Sequence, residues 1–135
     1  MKCLFVTGTR ADFGKMKGLI SALNSDESRY SIQVVATGMH LLTEFGSTLV
    51  EIENTFPNKV VQIKGQKFQE NMSTGFARFI NRFNLHLESE KPDVVLVHGD
   101  RFDALGAAIA ASNMGIHVVH IEGGEVSGTI DEAIR

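Results

Sequence analysis

The polarity of this chain changes in a regular rhythm. Short apolar, β-branched runs alternate with longer stretches in which apolar residues recur every three or four positions. The short runs predict strands at residues 2–7, 31–37, 59–63, 93–98 and 117–121. Most are continuously apolar rather than alternating, as a strand covered by helices on both faces requires. Strand and helix in repeated alternation predict βαβ units around a parallel sheet, an α/β fold with helices on both faces. Such sheets carry ligands beyond the carboxyl ends of their strands, and here strand one is expected to lie centrally, between strands two and four.

Helices are predicted at 13–25, 41–53, 69–90 and 102–113, with Asp12 placed to cap the first. In the third, Met72, Phe76, Phe79, Ile80, Phe83 and Leu87 form one apolar stripe that suits packing on a sheet better than cradling a ligand. The fourth is rich in Ala around Gly106 and ends at Met114-Gly115, a good carboxy-terminal stop. Thr129 or Asp131 then caps a segment, Glu132-Ala133-Ile134-Arg135, of about one turn, too short to stand alone. Residues 1–135 are therefore expected to be an incomplete N-terminal domain, with a C-terminal domain absent from this sequence.

Composition narrows the function classes. A chain of 135 residues, 43% of them hydrophobic, can bury one real core and little more. Its 13 Lys and Arg against 16 Asp and Glu, a net charge of −3, offer neither a nucleic-acid surface nor a polybasic membrane anchor. The single cysteine, Cys3, sits in an apolar run and suits a small buried side chain rather than a nucleophile. No disulfide framework is available. The opening apolar run is interrupted at Thr7-Gly8-Thr9-Arg10, too early for a secretory signal, and no run approaches the roughly 20 residues of a membrane span. A cytoplasmic location is the expectation.

Candidate chemistry gathers in the loops after strands one, four and five. After strand one, Gly8 allows a tight turn, Arg10 can meet a phosphate, and a helix amino-terminus adds partial positive charge. The segment is neither a P-loop nor Gly-x-Gly-x-x-Gly. Strand two ends in Val34-Val35-Ala36-Thr37-Gly38 without the acidic residue that holds an NAD ribose, which disfavours a nicotinamide enzyme. The plain alternative for Arg10 is a surface ion pair with Asp12 or Glu44. After strand four, Asp100 can handle a proton and Arg101 a phosphate, while the alternative makes Asp100 the cap of the following helix. After strand five come three glycines in six residues and four carboxylates in eleven. If strands four and five are neighbours, Asp100 and Glu122 face one cleft, where paired carboxylates divide acid and base work. His98, His120, Asp100 and Glu122 are also a conceivable metal set, but both histidines sit deeper along their strands than the carboxylates, so the acid/base alternative stands above it. His40, His86 and His117 have no context that raises them.

Three blocks carry a resemblance: Phe5-Val6-Thr7-Gly8-Thr9-Arg10-Ala11-Asp12-Phe13-Gly14-Lys15, then His98-Gly99-Asp100-Arg101, and above all residues 120–132, His120-Ile121-Glu122-Gly123-Gly124-Glu125-Val126-Ser127-Gly128-Thr129-Ile130-Asp131-Glu132. In this order they resemble the hydrolysing UDP-N-acetylglucosamine 2-epimerases. The resemblance implies a Rossmann-like domain, the first half of a two-domain glycosyltransferase-B-type fold with the active site between the halves. It also implies a homo-oligomeric complete enzyme that needs no metal or other cofactor. The implied reaction converts UDP-N-acetylglucosamine and water to N-acetylmannosamine and UDP through 2-acetamidoglucal, the first step towards sialic acid. By the same resemblance Asp100, Glu122 and Asp131 are catalytic. Arg10, Asp12, Gly14, Arg101, Gly123, Gly124 and Ser127 would line the UDP-sugar site. The same motifs fit a hydrolysing epimerase of a diacetamido trideoxy UDP-sugar, as in legionaminic acid synthesis. The block at Glu122-Gly123-Gly124-Glu125 departs from the non-hydrolysing epimerases. A nucleotide-sugar-binding module without activity is the remaining alternative, and three convergent carboxylates argue against it.

Overall fold

The computed structural model describes residues 1–46, 48–126, 128 and 134. The elements run β1 (Lys2–Thr7), α1 (Arg10–Asn24), β2 (Ser31–Ala36), two 3-10 turns (Gly38–Leu41 and Thr43–Phe45), α2 (Leu49–Thr55), β3 (Val60–Gln62), α3 (Met72–Glu90), β4 (Val94–His98), α4 (Phe102–Asn113) and β5 (His117–Ile121). All strand pairings are parallel, in the order β3-β2-β1-β4-β5. This is the expected Rossmann-like sheet with strand one between strands two and four. Chain order reverses direction across β1, so the crevice between the ends of β1 and β4 is the topological switch point.

The side-chain alternation of β1 divides the core into two layers. Leu4 and Val6 face a layer with Phe79, Phe83 and Leu87 of α3 and Ala104, Ala107, Ala110 and Ala111 of α4. Cys3 and Phe5 face the other, with Phe13, Met16 and Ile20 of α1 and Ile52 and Phe56 beyond. The alanine face of α4 lets α3 and α4 pack closely: a side chain at Gly106 would crowd the rings of Phe76 and Phe79. Cys3 is buried, and burial pushes its thiol pKa up, so it serves packing as expected. Among the described residues, no helix is long and apolar enough to cross a membrane.

Three helix starts differ from the sequence expectation by three residues or more, each for a local reason. Helix α1 starts at Arg10, because Thr9 rather than Asp12 is its N-cap. The helix expected at 41–53 is broken by Gly46, whose left-handed φ of +84° ends the second 3-10 turn, and α2 begins only at Leu49. The helix expected from residue 69 starts at Met72. Gln69 has a φ of +56°, which an α-helix cannot contain, and the Asn71 side chain accepts the Ser73 N–H as cap. The stop after α4 is as expected, with Gly115 left-handed at φ +70°.

The α3 layer yields a stability prediction. Phe83→Ala, which empties a buried site stacked on Phe79 at 5.3 Å, should cost about 3–5 kcal/mol in urea denaturation. Leu85→Ala, on the exposed side of the same helix, should stay within about 0.5 kcal/mol. Equal effects would contradict the assignment of the buried face.

Candidate functional site

The site begins with the turn out of β1. Thr9 is extended at φ −141°, and its side chain accepts the Asp12 N–H at 3.3 Å. Asp12 reciprocates: its Oδ2 accepts the N–H of Thr9 at 3.0 Å and of Gly8 at 3.3 Å. This capping box satisfies backbone donors at the helix start and pins the Asp12 carboxylate at the carboxyl edge of the sheet.

From there a chain of polar side chains crosses the strand ends. The Oδ1 of Asp12 lies 3.6 Å from Nδ1 of His98, and Nε2 of His98 lies 3.0 Å from Oε2 of Glu122. Neither contact is aligned as a hydrogen bond, so the coupling is electrostatic. His98 is the last residue of β4, almost fully buried, and whichever ring nitrogen carries the proton faces a carboxylate. Glu122 follows β5 directly, and Lys15, one turn along α1 from Asp12, donates to both of its oxygens at 2.7 and 2.8 Å. The β4–β5 register pairs His98 with Ile121, which brings the Asp100 and Glu122 loops to neighbouring strand ends. Arg10, Asp100 and Glu122 thus share one edge of the sheet, as expected.

The pair with Lys15 is the main cause that holds the Glu122 pKa below its ordinary value, against desolvation, with His98 adding in the same sense. The Lys15 pKa is raised chiefly by the same hydrogen bonds. Glu122 therefore stays an acceptor at neutral pH. Its backbone is left-handed at φ +60°, a conformation that disfavours a side chain and recurs at functional sites.

The other expected residues fall as follows. Arg10 is exposed and 3.4 Å from Glu51 of α2, so its partner is neither Asp12 nor Glu44: Glu51 stands where α2 reaches over the start of α1. Arg101, not Asp100, is the N-cap of α4, and it makes no side-chain capping bond. Its guanidinium lies over the Phe102 ring, 5.6 Å from the centroid, with Nε 3.5 Å from Asp103. A side chain at Gly123 would run into the His120 ring, whose Nε2 contacts the Gly99 carbonyl oxygen. Gly123 therefore makes room for a histidine that ties the two loops together. Side chains at Gly14 or Gly124 would meet nothing within 4 Å among the described residues. Asp131 and Ser127 lie outside the described residues. Among the described residues no three His, Cys, Asp or Glu gather in metal-holding geometry, and His98 and His120 turn to different partners.

Sequence reasoning passed over Lys15, and it weighed His98 only as a metal ligand. The signal for Lys15 was its spacing of three from Asp12, which places both on one helix face. It also passed over His40, which is buried between the hydroxyls of Thr7 at 3.0 Å and Thr48 at 2.6 Å, with its pKa lowered chiefly by burial. His40 braces the loop after β2 against the end of β1.

Residues 22–135 match the family model described as UDP-N-acetylglucosamine 2-epimerase. A curated UDP-N-acetylglucosamine 2-epimerase of Neisseria meningitidis is 39% identical over 99% of this chain and 35% of its own length. The UDP-N,N'-diacetylbacillosamine 2-epimerase (hydrolyzing) of Legionella pneumophila is 38% identical over 99% of this chain and 36% of its own. Among solved structures, the Neisseria meningitidis epimerase bound to UDP-GlcNAc superimposes on 100% of this chain with a TM-score of 0.84 at 30% identity, over 36% of its own length. The chain thus spans about a third of the relatives it matches.

The geometry predicts that Lys15→Met raises the Glu122 pKa towards the ordinary carboxylate value, measured by NMR titration of the 13C-labelled carboxyl group. An unmoved Glu122 would contradict the pairing.

Proposed function

Because this chain belongs to the UDP-N-acetylglucosamine 2-epimerase family, we propose that it is the N-terminal Rossmann-like part of a hydrolysing UDP-sugar 2-epimerase. In this reading the complete protein carries a second domain, assembles as a homo-oligomer, works in the cytoplasm and uses neither metal nor cofactor. UDP-N-acetylglucosamine and water would become N-acetylmannosamine and UDP, opening a route to sialic acid. The observation that carries the reading is the Asp12–His98–Glu122–Lys15 chain across the switch-point edge, next to the Asp100 and Arg101 loop.

The chemistry needs a base against a C2–H that is not acidic and cations for a departing diphosphate. In our assignment Asp100 takes the C2 proton, the C2–H electrons form the C1=C2 bond, and UDP leaves with the glycosidic oxygen to give 2-acetamidoglucal. Arg10 and Arg101 hold the diphosphate as its charge grows. Water then adds at C1 with loss of a proton to Glu122, and C2 is reprotonated from the opposite face, a step for which Asp131 is the candidate acid. The ionised state of Glu122 suits a base. Asp12 positions this constellation, and Gly14, Gly123, Gly124 and Ser127 are assigned to the ligand surface. Gly14 costs α1 up to about 1 kcal/mol against Ala without a packing reason among the described residues, which a closely approaching ligand would supply. The 38% identity to the Legionella pneumophila relative keeps a diacetamido trideoxy UDP-sugar as the second reading of the substrate.

In the complete protein, Glu122→Gln should lower kcat roughly 10²-fold with little change in KM. Because the elimination step survives, 2-acetamidoglucal should appear as a vinyl proton signal by NMR. Unchanged kcat would remove Glu122 from the mechanism, and lost activity without glucal would move it to the first step. Gly14→Ala should raise thermal stability while weakening UDP-sugar binding, read by melting and by titration. Unweakened binding would remove Gly14 from the ligand surface.

A further inference from the structure

Asp103 sits in the first turn of α4 and is buried at 2% exposure. Among the described residues neither of its oxygens has a hydrogen-bond partner, nor does Nε of Arg101, 3.5 Å from its Oδ2. The carboxylate presses against the bare Cα faces of two glycines on the loops after β1 and β2. A side chain on Gly8 would overlap Asp103, and one on Gly38 would come within 2.9 Å of its Oδ2. Gly38 also has a left-handed φ of +53°, and its neighbour Met39 donates its N–H to the Gly8 carbonyl oxygen. Three loops of the carboxyl edge therefore close around one carboxylate, and among the described residues the cation beside it is Arg101.

Burying a carboxylate without hydrogen bonds destabilises a fold, so its presence here needs a reason other than stability. Arg101 supplies one. Its guanidinium lies over Phe102 on one side and turns its buried Nε to Asp103, while a third of the side chain stays exposed at the sheet edge. We propose that Asp103 is a positioning residue that holds the Arg101 guanidinium in a single pose, ready for the diphosphate of a UDP-sugar. The inference rests on the UDP-sugar reading above. Asp103 touches no reacting atom and acts through Arg101, saving the ligand the cost of ordering a long, flexible cation. The electrostatics agree: burial raises the Asp103 pKa to about 6, Arg101 pulls it down and Asp12 pushes it up. A carboxylate kept for stability would shift the other way.

The test uses the complete protein. Asp103→Ala should raise KM for UDP-N-acetylglucosamine about tenfold and lower kcat as well, since the truncated side chain no longer reaches Nε and Arg101 also steadies the growing diphosphate charge. Asp103→Asn keeps the shape but loses the charge that faces Nε at 3.5 Å, so it should raise KM in the same direction by a smaller factor. The double variant of Asp103→Ala with Arg101→Ala should bind no worse than Arg101→Ala alone. If the Ala variant fails to fold, Asp103→Ser, also too short to reach Nε, carries the same expectation.

Stability separates this role from a structural one. The Asp103 pKa is raised from its unfolded value, so the carboxyl costs stability above pH about 6 and the cost fades as pH falls towards about 4. Its charged neighbours are Arg101 on the α4 loop and Asp12 on α1. Asp103→Asn should therefore melt higher than wild type at pH 8, by a margin that shrinks at pH 5. An additive double variant, tighter UDP-sugar binding by Asp103→Ala, or a lower melting temperature for Asp103→Asn at pH 8 would each overturn the proposal. A wild-type protein that binds no UDP-sugar would instead overturn the functional reading beneath it.

Discussion

The reciprocal bonds between Thr9 and Asp12 hold the site in place. One carboxylate closes the first turn of α1, satisfies two backbone donors and stands 3.6 Å from the histidine that ends β4. With Asp12 pinned, Lys15 projects from the next turn of the same helix onto Glu122, and His98 lies between the two carboxylates. A helix start, a strand end and a loop from the edge strand are thereby joined by charge. Removal of the Asp12 carboxylate would release the cap, and a capping bond of this kind contributes about 1 kcal/mol. It would also expose His98 to a single carboxylate, altering the electrostatics of Glu122 from two residues away.

Much of the fold is legible in the sequence, because most strands are largely apolar runs and the α3 stripe keeps a helical period. The parallel order and the central place of β1 follow from that alternation. What escaped was local turn chemistry. Asp12 looks like a cap because it precedes an apolar helix, but the cap is Thr9 and Asp12 is its partner three residues on. The helix predicted from residue 41 ignored the left-handed demand of Gly46. At the site, Arg10, Asp100 and Glu122 were legible because strand ends in a parallel sheet share one edge. His98 and Lys15 were harder to find: their importance depends on strand register and helix phase, which place them within 3.0 Å of Glu122. Asp103 was illegible, since a single acidic residue in a first helical turn is ordinary until its burial is known.

The carboxyl edge gathers several departures from local rules. Glu122 adopts a left-handed φ, Asp103 is a buried carboxylate without hydrogen bonds, and Gly14 weakens an exposed helix surface. Each costs stability, and all lie close to the carboxyl ends of the strands. The two core layers show the opposite habit, with aromatic and aliphatic side chains filling both faces of the sheet. Such a division is expected where a rigid scaffold carries a site whose charges are arranged for a ligand rather than for each other.

On the function proposed above, this edge belongs to an enzyme that removes and replaces the C2 proton of a UDP-sugar while breaking its C1–O bond. The direct measurement is turnover of UDP-N-acetylglucosamine by the complete protein in D2O enriched in 18O, with both products examined by NMR and mass spectrometry. The account predicts deuterium at C2 of the released N-acetylmannosamine and UDP free of 18O, because cleavage at carbon leaves the bridging oxygen on the nucleotide. A sugar that keeps its C2 proton, or 18O in the β-phosphate of UDP, would contradict it.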